Sequence, residues 1–303
     1  MISLPNHFIK TIKGVHKEAG RLWLDSFHEL IADCEARWFL KVLEPFPLSY
    51  NFVAPVVMQD GRNAVLKLGV PGVEWQRELA AIRNFAGQGM VQLLDADEKK
   101  GVMLLERIQP GETLDKLSSE DERIQCLAGV IKRMHTPVSK TGMLAFTFPT
   151  IAEWAVGLEE VRPHFQGGTG PIPEQMLEQA ERWYKKLLFT QKEQCLLHGD
   201  LHHENILRAE RESWLAIDPK GLIGETEYEV IPFLLNHLPE SGVEEVMKQR
   251  VNGLTKVLDL QKERVLAWAY CHSVLSAWWL IEDFGADDGR LEMAKVFEQL
   301  MNE

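Results

Sequence analysis

Apolar residues recur at helical spacing through the first 45 positions, where Leu24, Phe27, Leu30 and Ile31 share a face. The pattern predicts a mainly helical start, broken by Pro45 and Pro47. From Tyr50 the texture changes. The runs NFVAPVVM and AVLKLGV are rich in β-branched residues and are separated by the turn dipeptide Asp60-Gly61, which predicts a hairpin. Helical periodicity returns from about Val73 to Phe85, and VQLLDADEKKGVMLLER then reads as two strands around a charged turn. Strand, strand, helix, strand, strand describes a small α+β unit with an antiparallel sheet.

Gln109-Pro110-Gly111 punctuates the chain. The boundary is placed there, with one unit over residues 1–108, including the helical N-terminal extension, and a second over 109–303. Periodicity in the second unit predicts helices near Glu120–His135, Thr150–Pro163, Glu174–Thr190, Val243–Leu258, Lys262–Phe284 and Arg290–Met301. A β-like island interrupts them from Cys195 to Asp218, where NILR and WLAID flank the turn AERES. GGTGPIP, residues 167–173, reads as a flexible link between two helices. Trp278 and Trp279 read as core, and His28, His135 and His237 as helix-face residues rather than ligands.

Composition narrows the function. The 303 residues are 45% hydrophobic and 26% charged, which excludes wholesale disorder and a fibrous repeat. Acidic residues outnumber basic ones, 45 to 33, and a net charge of −12 argues against a general nucleic-acid binder. One small, locally basic phosphate site remains compatible with that charge. After residue 221 the imbalance is 15 acidic to 7 basic. Solvated helix faces are the plain reading, and an acidic surface for a cationic ligand is the sharper one. Cys34, Cys126, Cys195 and Cys271 are scattered, without disulfide or metal-ligand spacing, which fits a reducing cytoplasm. The N-terminus lacks a signal-peptide apolar core, and no run of about 18 apolar residues predicts a membrane span. GxxxxGK[ST] and HExxH are absent. Gly167-Gly168-Thr169-Gly170 follows a helix and precedes two prolines, so it reads as a loop rather than a dinucleotide fingerprint.

Candidate chemistry concentrates in HGDLHHENILRAERESWLAIDPKG, residues 198–221. Asp200 and Asn205 are five apart, as in the catalytic loop of protein kinases. An apolar strand precedes the loop and another, ending in Asp218, follows it. Side-chain oxygens of Asn205 and Asp218 on either side of a short hairpin can converge on hard Mg²⁺. Asp200 would accept or orient a hydroxyl proton beside them. Upstream, Lys67 lies mid-strand, where an ammonium implies an anionic partner or ligand. Glu74 and Glu78 are four apart on the next helix, share a face, and either could reach it.

These residues resemble the aminoglycoside phosphotransferase branch of the protein-kinase-like superfamily. HGDLHHEN has that branch's form of the catalytic loop, with IDP where protein kinases have DFG. AIDPKGLIGETEYEVIPFLLN and SVLSAWWLIED most resemble the aminoglycoside/hydroxyurea resistance kinases, the group that includes streptomycin 6-kinases. The resemblance runs from about residue 45 to residue 285. It implies an α+β, two-lobed kinase-like fold, with a small antiparallel-sheet N-lobe, a mainly helical C-lobe and the nucleotide in the cleft. Asp200 is implied as catalytic base, His198 as brace of the catalytic loop, and Asn205 and Asp218 as Mg²⁺ ligands. Lys67 is implied on the nucleotide phosphates, with Glu78 preferred as its partner. The backbone from Glu106 to Ile108 is implied at adenine, and Glu229, in GExxYE, as support beneath the loop. The phosphate-covering segment LEPFPLSYNFVAPV departs from the protein-kinase pattern in having no glycine, so Ser49 to Asn51 are the implied contacts there.

The reaction expected is Mg²⁺-dependent transfer of the γ-phosphoryl group of ATP, or GTP, to a small-molecule hydroxyl. The favoured acceptor is a cationic aminocyclitol antibiotic such as streptomycin, with Glu282 and Asp283 as candidate carboxylates for it. Alternatives are hydroxyurea, a sugar or an amino alcohol, or a catalytically silent binding protein of kinase fold. No nucleic-acid, membrane or obligatory protein partner is expected.

Overall fold

The computed structural model describes residues 2–137 and 146–303. The chain divides into two compact units, Met1–Pro110 and Gly111–Glu303. Among the described residues no helix is long and apolar enough to cross a membrane.

The first unit opens with α1 (Asn6–Trp38), kinked at Lys17, whose backbone leaves the helical region at φ 50°, ψ −122°. A β-carbon on Gly20 would come 2.4 Å from the carbonyl oxygen of Ile12, so the bend requires glycine there. The apolar face of α1 buries Phe8, Ile12, Trp23, Phe27 and Leu30. Phe27 meets Phe52 of the sheet edge-on at 5.0 Å. The helical start ends earlier than its periodicity suggests, because Leu40–Val42 forms β1. Next come β2 (Phe52–Met58), β3 (Asn63–Leu68), α2 (Val73–Phe85), β4 (Leu93–Asp97) and β5 (Val102–Glu106). The antiparallel sheet has the order β1-β2-β3-β5-β4. Its centre is β3, where Lys67 pairs with Val53 on one side and Met103 on the other. Strand alternation sends Leu66 and Leu68 into the core and turns Lys67 to the opposite face.

Strand β6 (Pro110–Thr113) begins at the division and joins a three-stranded sheet whose other members come much later in the chain. Helix α3 (Glu120–Met134) is capped by Ser119, which accepts the N–H of Glu122. The helix expected over Thr150–Pro163 is broken into Ile151–Ala155, a 3₁₀ stretch Val156–Glu160 and Val161–His164. The 167–173 link is not loose, since Thr169 and Ile172 are both buried. After α4 (Glu174–Phe189) come β7 (Cys195–Leu197), β8 (Ile206–Ala209), β9 (Trp214–Ala216) and β10 (Leu222–Gly224). The β8–β9 hairpin is antiparallel, and β10 returns antiparallel to β7, so the segment 198–221 is held between paired strands. The unit closes with α5 (Val243–Leu258), α6 (Lys262–Phe284) and α7 (Arg290–Met301). Helix α6 is the core element. Trp268, Tyr270, Val274 and Trp278 are each 1% exposed or less, whereas Trp279, also expected inside, is only partly covered.

Candidate active site

The sequence-selected residues form two sets, one in each unit. In the first, the central strand delivers Lys67 to a site where it is 2% exposed. Its Nζ lies 2.5 Å from Oε1 of Glu78, itself 12% exposed. Glu74, one turn earlier on α2, is exposed, and the inward position beside it is filled by Trp75. Glu78 is therefore the partner of the two. Ser49 is exposed in the bend before β2, and Asn51 is half-buried. A β-carbon on Gly69 would lie 2.4 Å from Asn51 Oδ1, so Asn51 reaches over the strand two residues beyond Lys67. Glu106 is tied to the chain before β4. Its N–H donates to the Gln92 carbonyl at 2.9 Å, and its carboxylate accepts the Gln92 N–H at 2.9 Å. Ile108 is buried.

In the second unit the loop after β7 is fixed from below. Glu229 is 1% exposed, and its carboxylate accepts the N–H of His198 at 2.7 Å and that of Gly199 at 3.0 Å. Gly199 adopts φ +80°, which glycine tolerates without cost, so both N–H groups face the same carboxylate. A third contact, His135 Nε2 at 2.9 Å from Glu229 Oε2, anchors that carboxylate. His135 Nδ1 lies 3.1 Å from the Thr226 hydroxyl. His135 is thus more than a helix-face residue. Its partners are over 90 positions away, and the sequence carries no local signal for them.

His198 is fully buried, and burial pulls its pKa down against the opposing pull of Glu229 and Asp200. The neutral ring is used on both sides. Nε2–H donates to the Ile217 carbonyl at 2.7 Å, and Nδ1 accepts the Asp200 N–H at 3.2 Å. His198 therefore links the loop to the residue before Asp218 and holds the backbone of Asp200. The Asp200 side chain is 37% exposed and open to solvent. Asn205 donates through Nδ2 to the Asp200 carbonyl at 2.9 Å, with His202 Nε2 at 3.2 Å from the same nitrogen. Both amide hydrogens are spent, and Oδ1 is left as an oxygen able to accept or coordinate. Ile217 N–H donates to the Asn205 carbonyl at 3.0 Å, which brings the next residue, Asp218, beside Asn205. Asp218 turns there in the left-handed region at φ +58°.

This donor set fits Mg²⁺. The ion takes one or two protein oxygens and completes its shell with water and phosphate oxygens. Accordingly, among the described residues no group of three or more His, Cys, Asp or Glu is placed to hold a metal by itself. His202 lies beside these residues without adding a metal donor, its Nε2 3.9 Å from the Asp200 carboxylate, and the double histidine in HGDLHHEN is its sequence trace. His237 lies outside any helix and meets Glu204 at 2.6 Å. Glu282 and Asp283 are exposed at the end of α6.

The model of the aminoglycoside/hydroxyurea antibiotic resistance kinase family matches residues 41–284. A streptomycin 6-kinase of Streptomyces griseus is 31% identical over 296 residues, covering 93% of this chain and 92% of the relative. A hydroxyurea phosphotransferase of Kitasatospora aureofaciens is 32% identical over 286 residues, covering 93% of this chain and 82% of the relative. Among solved structures, a choline/ethanolamine kinase family protein from Mesorhizobium loti superposes with a TM-score of 0.67 at 16% identity, over 91% of this chain and 95% of that one. That likeness concerns the fold.

Proposed function

This chain belongs to the aminoglycoside/hydroxyurea antibiotic resistance kinase family, and from that premise we propose that it phosphorylates a hydroxyl of a cationic aminocyclitol antibiotic of the streptomycin type. The donor is ATP or GTP. Phosphoryl transfer asks little covalent chemistry of the protein, so positioning and charge stabilisation do most of the work. Lys67, oriented by Glu78, neutralises nucleotide phosphate charge, Asn51 and Ser49 approach the phosphates, and the backbone of 106–108 meets the base. Asp200 orients the acceptor hydroxyl and takes its proton as the bond to phosphorus forms. Asn205 Oδ1 and the Asp218 carboxylate would hold Mg²⁺, which when bound offsets the charge of the transferring phosphoryl group. His198 and Glu229 keep the loop backbone rigid, so that Asp200 spends no conformational entropy on finding its place. Glu282 and Asp283 are the proposed carboxylates for the cationic acceptor, consistent with the acidic last third of the chain.

The observation that carries this reading is the braced loop. Asp200 is open to solvent while its backbone N–H and carbonyl are both engaged. A binding protein without turnover has no use for that combination. A second acceptor, hydroxyurea, is favoured by the 32% identical phosphotransferase. The test is a phosphoryl-transfer screen of purified protein with ATP and GTP against streptomycin, hydroxyurea, sugars and amino alcohols, read by the mass of the acceptor. A streptomycin mass gain of one phosphoryl group supports the proposal. Gain on hydroxyurea alone selects the second reading, and no gain on any acceptor removes both.

A further inference from the structure

Helix α6 is sheathed on nearly every side. From Arg264 to Ile281 every residue is buried except His272, Ser276, Trp279 and Leu280. His272, Ser276 and Trp279 are spaced four and three apart, and Asp283 follows four later, so these four lie on one stripe. Glu282 falls to the side of it. The stripe is lined by aromatic rings. Trp279 meets Trp154 edge-on at 5.5 Å and His272 at 6.2 Å. Tyr228 closes the group, 6.3 Å from Trp154, with its hydroxyl 2.7 Å from His272 Nδ1. Burial holds His272 neutral, its pKa pulled down to about 3, and keeps the Tyr228 phenol protonated. Tyr228 therefore donates to Nδ1, and the His272 proton sits on Nε2.

Two features tie the stripe to the chemistry. Trp154 packs on the catalytic loop, since a β-carbon on Gly199 would lie 3.9 Å from its Cη2, and Asp200 is the next residue. Trp154 and Trp279 are themselves only partly covered, which leaves part of each indole open to a ligand. Tryptophan placed this way offers an apolar face and a donor at its rim. A cyclitol or sugar ring presents the complement, with C–H faces bordered by hydroxyls. At the far end, Asp283 makes no ion pair among the described residues, and Arg290 is engaged with Asp288 at 3.3 Å.

We propose that Trp154 and Trp279 form an aromatic ledge that receives the ring of the acceptor beside Asp200, with Asp283 taking a guanidinium or ammonium substituent of that ring. The inference rests on the proposed function and adds which surface selects the acceptor. Trp279 to Asp283 spans about 6 Å along the helix, the width of a substituted six-membered ring. Hydroxyurea is neutral, with no ring to lie against the indoles and no cation for Asp283, so the ledge discriminates in favour of the larger, charged acceptor.

The experiment measures acceptor and nucleotide KM for wild type, Trp279→Ala, Trp279→Phe, Asp283→Asn and Glu282→Gln, with streptomycin and hydroxyurea as acceptors. Loss of an aromatic face against a cationic ring should raise the streptomycin KM in Trp279→Ala by roughly five- to thirtyfold. Trp279→Phe should recover most of it. The nucleotide KM should stay near wild type, which also shows that the variant folds. Asp283→Asn should raise the streptomycin KM more than Glu282→Gln does and should flatten its salt dependence. Hydroxyurea, where it is turned over, should respond to none of these by more than about twofold. A streptomycin KM unchanged in both Trp279→Ala and Asp283→Asn overturns the ledge and leaves the kinase assignment standing. Wild-type protein that does not phosphorylate streptomycin overturns the proposed acceptor and the ledge together, before any variant is made.

Discussion

Glu229 grips His198 through the backbone, its carboxylate 2.7 Å from the His198 amide nitrogen and 3.0 Å from that of Gly199. Both oxygens of a buried acid are thus spent on the two residues that precede Asp200. Glu229→Gln keeps the shape but turns an NH₂ group toward one of those N–H donors. The expected result is a fall in kcat of about 10²-fold through lost orientation, with a stability loss of about 1–3 kcal/mol for the donor left unsatisfied. Steady-state kinetics and amide exchange at Gly199 would check it. Full kcat in this variant would reduce Glu229 to packing.

The Lys67–Glu78 pair is buried, and Glu74 on the same helix is exposed. Removing one partner of a buried pair costs about 3–5 kcal/mol, because the remaining charge is poorly compensated. Lys67 keeps further interactions, so Glu78→Ala should lose part of that amount, about 1–3 kcal/mol, in chemical denaturation and raise the nucleotide KM. Glu74→Ala should stay within about 0.5 kcal/mol of wild type. Equal effects at the two positions would contradict the pairing.

Asp218→Asn should act through the metal. An amide offers one neutral oxygen, so Mg²⁺ affinity falls and part of the lost rate should return as Mg²⁺ is raised. Asp200→Ala should lose about 10²–10⁴ in rate and not respond to Mg²⁺, with nucleotide binding retained. Titrating both variants with Mg²⁺ separates the roles, and identical titration curves would refute the division of labour.

His203 sits beneath the loop, fully buried, stacked on Phe233 at 4.2 Å and 3.5 Å from the Arg250 guanidinium. Burial first, and Arg250 second, pull its pKa from 6.5 to about 2. The folded protein then binds fewer protons than the unfolded chain. The stabilisation is complete above pH 6.5 and is lost as pH falls from there toward 2. In that window His203 should contribute a slope of up to about 1.4 kcal/mol per pH unit. His203→Gln should show a shallower fall in denaturation midpoint between pH 6 and pH 4 than wild type, about one proton less in the linkage slope. Parallel pH profiles would dismiss His203 as the responsible group.

Much of this architecture is visible in the chain before any coordinates. The hairpin at Asp60-Gly61 and the helices from Val243, Lys262 and Arg290 are local features, written in spacing and turn chemistry. What the sequence hides is non-local. Strand β1 has three residues, and Val42 at its end pairs with Val56, 14 positions further along. Strand β10 pairs with β7 across the whole catalytic segment, and a run of three residues shows no period to read. The site divides in the same way. Asp200, Asn205 and Asp218 stand out by mutual spacing, whereas His135 and Trp154 earn their places only through contacts with Glu229 and Gly199.

The single open stripe of α6 bears on how such a protein changes over generations. Most of the helix is committed to holding the second unit together, and substitutions there are screened out by misfolding. Positions 276, 279 and 283 are largely released from that burden, whereas His272 stays tied to the buried Tyr228 hydroxyl. Variation can accumulate along one line of the surface without eroding the scaffold, and a directed library confined to those three codons should yield mostly folded clones. With the ledge as proposed, new acceptor ranges would then be reachable by single steps through viable intermediates, while the loop that carries Asp200 is inherited unaltered.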